Sequence, residues 1–186
     1  MPKCAFCKTD IKKENVIKYI DKYSKKEKKV NMCSVNCIKE YEHEQEIKKQ
    51  ETKNYINLCE YIMKIHKQTF LPSGFYVILR ELRNGTIRQK GIYIKKYKQG
   101  VEWKDIFNAY KYSENSINRV LSTKTFETIM NELNYCLAIV KNNLAKSKQI
   151  NQQKQMNEKI ETKVHIADEY EYKKKEDSSD ISDILE

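Results

Sequence analysis

The chain has 186 residues, which is enough for one ordinary domain or for a small module joined to a second. A charged share of 33%, with only four Gly and two Pro, argues against sandwiches, barrels and collagen-like repeats. No apolar run approaches the roughly 20 residues that a membrane span needs, and the first residues lack the apolar core of a secretion signal. We therefore expect a mainly helical cytoplasmic protein with no membrane partner.

Charge is distributed unevenly along the chain. Residues 1–100 carry 23 Lys+Arg and 11 Asp+Glu, whereas residues 157–186 carry 5 and 10. A basic body with an acidic end is typical of polyanion binders that have a partner-binding tail, because clustered cations attract phosphate backbones. A well-solvated surface in a lysine-rich chain gives the same balance, so charge alone leaves both interpretations open.

Four of the six cysteines have paired spacing. They form C-x2-C, a 25-residue gap and C-x3-C, and they are Cys4, Cys7, Cys33 and Cys37. In a compartment that keeps thiols reduced, this spacing predicts a metal site rather than a disulfide framework. Four thiolates satisfy the tetrahedral preference of Zn²⁺ and leave no open position, so we expect one structural zinc ion. The alternative is four unrelated buried thiols.

The residues between the two cysteine pairs predict a hairpin. Two β-prone runs, Val16 to Ile20 and Lys29 to Met32, flank a charged segment, and Ser34 can cap a helix that begins at Val35. Cys37 would then lie on the first helical turn, where negative charge is favoured. The order knuckle, hairpin and helix is that of a treble clef.

The second cysteine pair carries a family resemblance. The run Met32-Cys33-Ser34-Val35-Asn36-Cys37, with Tyr41 four residues on, is similar to the F-C-S-x-x-C-x-x-x-[FY] signature of TRASH-type and MYM-type treble-clef fingers. With Phe70-Leu71-Pro72 and Gly91-Ile92-Tyr93, residues 1–145 also resemble small proteins of phages and prophages of Gram-positive bacteria. The resemblance implies a bacterial host cell and supplies no activity.

The chain divides into four predicted segments: a finger at 1–41, a connector helix at 42–54, a helical domain at 55–147 and a disordered acidic tail at 148–186. No Gly or Pro interrupts residues 35–66, and between Glu42 and Asn54 only Ile47 is aliphatic. Two further cysteines and a histidine fall in apolar helical patterns and are expected to be buried or half-buried, namely Cys59, Cys136 and His66.

Residues 72–98 are compatible with a helix-turn-helix. One helix is predicted from Pro72 to Arg83, stopped by Asn84-Gly85, and another from its N-cap Thr86. The second would place side chains on base edges or phosphates, and these are Arg88, Gln89, Lys90, Lys95, Lys96 and Lys98. Ordinary packing of two short helices gives the same pattern.

The last part of the chain is predicted as one or two helical pieces at Val101 to Lys124, then a helix from Phe126 to about Lys146 capped by Thr125. Its apolar stripe, Phe126 to Leu144, can pack on the body or form a homodimer. In the tail, Ile181, Ile184 and Leu185 have the spacing of a peptide that folds in a partner's groove. A solvated terminus, or a tail that folds back on the basic body, is the alternative.

The sequence offers no parts for an enzyme. It has no Gly-rich phosphate loop, no nucleophile elbow and no H-E-x-x-H, and near the second cysteine pair only His43 and Asn36 could serve a nuclease. Two functions remain. One is a zinc-finger protein that binds nucleic acid, most simply duplex DNA, and regulates transcription or replication. The other is an adaptor or inhibitor that docks on a host enzyme or defence complex.

Overall fold

The computed structural model describes residues 1–24, 28–96 and 99–176, with the backbone alone for 158, 159 and 161–176. The chain forms two compact units, Met1–Tyr61 and Ile62–Glu186, which we call the N-terminal and C-terminal units. The fold is mainly helical with a small β-containing, cysteine-bearing N-terminal region, as the sequence predicts. Among the described residues, no helix combines the length and apolarity that a bilayer span requires.

The N-terminal unit begins with a turn and a hairpin. A 3-10 turn, Lys13–Asn15, precedes strands β1 (Ile17–Asp21) and β2 (Lys28–Met32), which pair antiparallel with Ile17 opposite Met32. The predicted hairpin is therefore confirmed, with each strand within a residue of its predicted bounds. Among the described residues, the buried cluster at the hairpin consists of Cys4, Ile11 and Met32, with partly buried apolar side chains packed against it. A core of this size cannot hold a hairpin by burial alone, so a further constraint is needed.

Helix α1 spans Val35–Ile65, as the uninterrupted pattern predicts. Its start is capped by Ser34, whose hydroxyl oxygen accepts a hydrogen bond from the Cys37 backbone N–H at 3.2 Å. None of residues 42–54 is buried. This stretch of helix therefore gains little from packing and relies on intrahelical contacts such as the 2.6 Å ion pair between Lys48 and Glu44.

The C-terminal unit contains three more helices and a second hairpin. The elements in chain order are α2 (Ser73–Asn84), β3 (Thr86–Gln89), β4 (Ile92–Lys95), α3 (Trp103–Thr123) and α4 (Ile129–Glu176). Gly85 ends α2 in the left-handed conformation, with φ of 66°, and its N–H bonds to the carbonyl oxygens of Glu81 and Leu82. The predicted stop at Asn84-Gly85 is confirmed.

Helices α3 and α4 form the core of the C-terminal unit. Their contacts run in opposite order along the two helices, because Asp105 pairs with Lys148 whereas Lys124 reaches Tyr135. The helices are therefore antiparallel. The fully buried side chains include Ile106, Tyr110 and Ile117 of α3 and Leu133, Leu137 and Val140 of α4. The middle of the predicted apolar stripe, from Leu133 to Val140, is thus buried within the chain, whereas Phe126 and Leu144 at its ends are half-buried.

The helix predicted from Thr86 is wrong. Residues 86–95 form an antiparallel hairpin with Arg88 opposite Tyr93 and Gln89 opposite Ile92. Its two-residue turn is Lys90-Gly91, with φ of 49° and 85°, and two successive left-handed residues are what a type I′ hairpin turn requires. The segment 72–98 therefore contains no helix-turn-helix in its described part.

The predicted bounds of α4 also need correction. The helix begins at Ile129, not Phe126, and the hydroxyl oxygen of Thr128 rather than Thr125 caps it by accepting the Asn131 backbone N–H at 3.2 Å. It continues to Glu176, far beyond Lys146. Residues 147–176 contain neither Gly nor Pro and are rich in Lys, Glu and Gln, so intrinsic helix propensity favours this continuation without an apolar stripe.

Candidate metal centre

The four paired cysteines meet at one point of the N-terminal unit. Cys4 and Cys7 lie at the ends of the first turn of the chain, Cys33 follows β2 directly, and Cys37 lies on the first turn of α1. Their four Sγ atoms all lie within 4.8 Å of one another. Residues up to 33 positions apart in sequence thus form one cluster, because the β1–β2 hairpin brings the chain back to its first turn.

Backbone hydrogen bonds fix the turn that carries the first pair. The Cys4 N–H donates to the Thr9 carbonyl at 2.9 Å, and the Ala5 N–H donates to the Asn31 carbonyl of β2 at 2.8 Å. Lys8 closes the turn with φ of 63°, a left-handed conformation unusual for a residue with a side chain. Backbone hydrogen bonds therefore hold the turn that carries Cys4 against β2, and Cys4 also packs in the buried cluster with Ile11 and Met32.

The sulfur separations suit a four-coordinate ion. The Cys7 and Cys33 sulfurs are 3.6 Å apart, and those of Cys33 and Cys37 are 3.3 Å apart. Sulfurs about 2.3 Å from a central ion in a tetrahedron would be about 3.8 Å apart, whereas a disulfide brings them to about 2.05 Å. All six cysteines are free thiols. The cluster can hold a metal ion with modest adjustment of its side chains.

The pKa values of the clustered thiols are shifted in different directions. The hydroxyl of Thr9, 3.3 Å from the Cys7 sulfur, together with the Thr9 backbone N–H, lowers the pKa of Cys7 to about 6. Hydrogen bonds to the sulfurs of Cys37 and Cys7 raise the pKa of Cys33 to about 12. Burial acts to raise the pKa of Cys4, but backbone hydrogen bonds, first from Cys7, lower it overall. A metal ion that takes the place of these protons would satisfy all four sulfurs at once.

The other two cysteines are buried, as predicted. Cys59 is 7% exposed and Cys136 is fully buried. Burial raises the pKa of Cys59 and raises that of Cys136 to about 11. Both thiols are therefore protonated and inert at neutral pH, and neither joins the cluster.

The predicted nucleic-acid contacts lie on the β3–β4 hairpin instead of a helix. Arg88, Gln89, Lys90, Lys95 and Lys96 are all exposed, and Lys98 lies outside the described residues. The guanidinium carbon of Arg88 is 5.9 Å from the centroid of the Tyr93 ring, and that ring is 57% exposed. The predicted tail anchors Ile181, Ile184 and Leu185 also lie outside the described residues.

Two features escaped the sequence analysis. The first is Thr9, whose hydroxyl lowers the pKa of Cys7. Its position two residues after that cysteine was the one sign of this contact in the sequence. The second is a cleft in the N-terminal unit between the residues that follow β1 and the middle of α1, bordered by Lys22 and by lysines of α1. No local pattern indicates this cleft, because it depends on how the hairpin lies against the helix.

The fold and the cysteine cluster define a small helical protein with an N-terminal four-thiol site able to hold a metal ion. The chain belongs to the SPbeta prophage protein YorH family, whose model matches residues 4–183. The predicted resemblance to prophage proteins is thereby confirmed. The comparisons with curated proteins and with solved structures returned no match.

Proposed function

We propose that this prophage protein is a zinc-finger protein that binds nucleic acid, most simply duplex DNA, and regulates transcription or replication in the host cell. The observation that carries the proposal is the exposed β3–β4 hairpin, which lies in a stretch of chain without a single acidic residue. In this proposal the zinc site stabilises the N-terminal unit, and the basic β3–β4 hairpin contacts the nucleic acid.

Zinc is the ion that the cluster favours by its chemistry. Four thiolates are soft ligands, they fill a tetrahedral shell completely, and the small buried cluster of Cys4, Ile11 and Met32 gives the hairpin little stability of its own. The order of turn, hairpin and helix, with one cysteine pair at the turn and the other at the start of the helix, supports a treble-clef finger. The helix N-terminus beside Cys37 adds a favourable interaction with the negative cluster.

The β3–β4 hairpin supports nucleic-acid binding. Between Glu81 and Glu102 the sequence contains six Lys+Arg and no Asp or Glu. A two-stranded antiparallel ribbon fits the major groove of duplex DNA. Arg88 and Lys90, near the turn, can approach base edges, while Lys95 on the returning strand can contact phosphates. The hairpin thus carries Arg88, Gln89, Lys90 and Lys95, four of the residues predicted for the reader helix.

The salt dependence of binding tests this proposal. We expect the full chain to bind a random-sequence duplex, with an affinity that falls steeply between about 50 and 200 mM salt because counterions are released from the neutralised phosphates. Fluorescence anisotropy of a labelled duplex measures the slope. A chain that holds its metal and binds neither duplex nor single-stranded DNA at the lower salt concentration would refute nucleic-acid binding.

The second candidate function is an adaptor that docks on a host protein. It is favoured by a groove of about 380 Å³ in the C-terminal unit, bordered by Leu82, Ile87, Val101 and Leu144 and by the lysines Lys96 and Lys141. Apolar walls beside ammonium groups fit an amphipathic helix with acidic flanks. This candidate predicts a stoichiometric host protein captured at physiological salt and little binding to random DNA.

A further inference from the structure

The N-terminal unit contains a second basic surface, separate from the metal cluster and from the hairpin of the C-terminal unit. It is a cleft of about 580 Å³ between the residues that follow β1 and the middle of α1. Its lining residues include Lys22, Tyr23, Lys48, Lys49 and Lys53. We call it the lysine cleft.

The lysines of the cleft converge although they repel one another. Lys49 and Lys53 are four residues apart on α1 and therefore share a helix face, where like charges destabilise a helix by a few tenths of a kcal/mol. Lys22 approaches that face from the end of β1. No packing demand explains the arrangement, because none of the α1 residues 42–54 is buried.

Protein carboxylates do not neutralise most of this charge by contact. Within the described residues, Lys48 has an ion pair with Glu44, but Lys22, Lys49 and Lys53 have no ion pair. The nearby acid Asp21 accepts hydrogen bonds from the Tyr41 hydroxyl and the Tyr23 backbone N–H, and Glu42 accepts one from the Tyr19 hydroxyl. Glu46 remains the acid that acts most strongly on Tyr23.

We infer that the lysine cleft holds successive phosphates of a nucleic-acid backbone. Ammonium groups such as those of Lys22, Lys49 and Lys53 contact phosphate oxygens as point charges. The volume exceeds that of one phosphate group and suits a length of sugar-phosphate chain. The inference rests on the proposed function, and it assigns to the N-terminal unit a contact that is independent of the hairpin.

The test removes three charges from the cleft. In the variant Lys22→Gln, Lys49→Gln and Lys53→Gln, the slope of log affinity against log salt should decrease by up to about 2.7 for a duplex, at about 0.9 for each lost phosphate contact. The matched control replaces three exposed lysines of the same unit that do not line the cleft, Lys12, Lys13 and Lys39, by Gln. Because the control variant has the same net charge as the cleft variant, it shows how much of the change in slope comes from net charge alone.

The outcomes separate this inference from the proposed function. The inference is supported if log affinity falls less steeply with log salt in the cleft variant than in the control, with helix content and bound metal unchanged. Equal slopes in the two variants would overturn it, and so would an unchanged slope in the cleft variant. In both of those cases the binding by the native chain would stand. If the native chain bound neither duplex nor single-stranded DNA, the proposed function would fail, and the cleft with it.

Discussion

Nδ1 of His66 lies 2.6 Å from Oε1 of Glu132, and this contact joins the residue that follows α1 to the first turn of α4. The His66 side chain has no exposed surface, and the Glu132 side chain is 22% exposed. A carboxylate near a helix N-terminus is also favoured by the helix dipole. The pair therefore fixes the start of α4 in the C-terminal unit by a charge-assisted hydrogen bond.

Loss of this pair should destabilise the chain. We expect Glu132→Ala to lower the free energy of unfolding by about 1.5–3 kcal/mol, because a buried imidazole would lose its partner. Glu132→Gln keeps an oxygen acceptor at the same distance and should cost clearly less. Urea denaturation of both variants measures the difference. Equal losses would show that the hydrogen bond contributes nothing beyond side-chain packing.

The fold was predictable where local patterns determine the structure. The hairpin before Cys33, the Ser34 cap and the stop at Gly85 each depend on a few neighbouring residues. The second hairpin was missed because Ile87 and Ile94 fit a helical spacing, whereas Ile92 and Ile94 fit a strand. Lys90-Gly91 also lacks the Asn-Gly or Asp-Gly sequence that usually indicates a type I′ turn.

The metal cluster was predictable because two closely spaced cysteine pairs are by themselves typical of a metal site. The contact between His66 and Glu132 was not, because the two residues are 66 positions apart and neither has a distinctive neighbour sequence. The lysine cleft was missed for a related reason. Its members belong to two elements whose mutual arrangement no local pattern encodes, so lysines such as Lys49 and Lys53 looked like an ordinary solvated helix face.

Cys33→Ser should remove both the metal and the order of the finger. We expect one zinc per native chain by elemental analysis and less than stoichiometric zinc in this variant, because a hydroxyl is a poor substitute for a thiolate. Residues 1–40 should lose their dispersed amide NMR signals. Cys59→Ser is the matched control, since Cys59 lies outside the cluster, and it should retain one zinc. An ordered finger after chelation would contradict the prediction.

Thiol reactivity should increase in two steps. In the zinc-loaded chain at pH 8, none of the six thiols should react rapidly with a disulfide reagent. Four are held by the metal, and Cys59 and Cys136 are buried, with pKa values raised by that burial. A strong chelator should expose four thiols, and a denaturant the remaining two. Six rapidly reacting thiols after chelation alone would show that the two units unfold together.

Two glycines of the C-terminal unit should respond differently to substitution by alanine. A Cβ at Gly100 would overlap the carbonyl oxygen of Arg83, which is backbone and cannot move aside cheaply. A Cβ at Gly91 meets nothing within 4 Å, so the cost of Gly91→Ala comes only from the backbone strain of an alanine at a φ of 85°. We expect a loss of about 1 kcal/mol for Gly91→Ala and of more than about 3 kcal/mol for Gly100→Ala in thermal or urea unfolding. A similar loss in both would argue against the close approach of Gly100 to α2.

Charge reversal in the β3–β4 hairpin and removal of its exposed Tyr93 ring should have different effects on DNA affinity. Arg88→Glu with Lys90→Glu should strongly weaken duplex binding, because both cations lie near the turn and two carboxylates would repel the phosphates. Tyr93→Phe should keep the affinity for single-stranded DNA, whereas Tyr93→Ala should weaken it by about 1–3 kcal/mol if a base stacks on this exposed ring. Anisotropy titrations at fixed salt measure both effects. Unaltered duplex affinity in the double charge reversal would exclude the hairpin as a contact for duplex DNA.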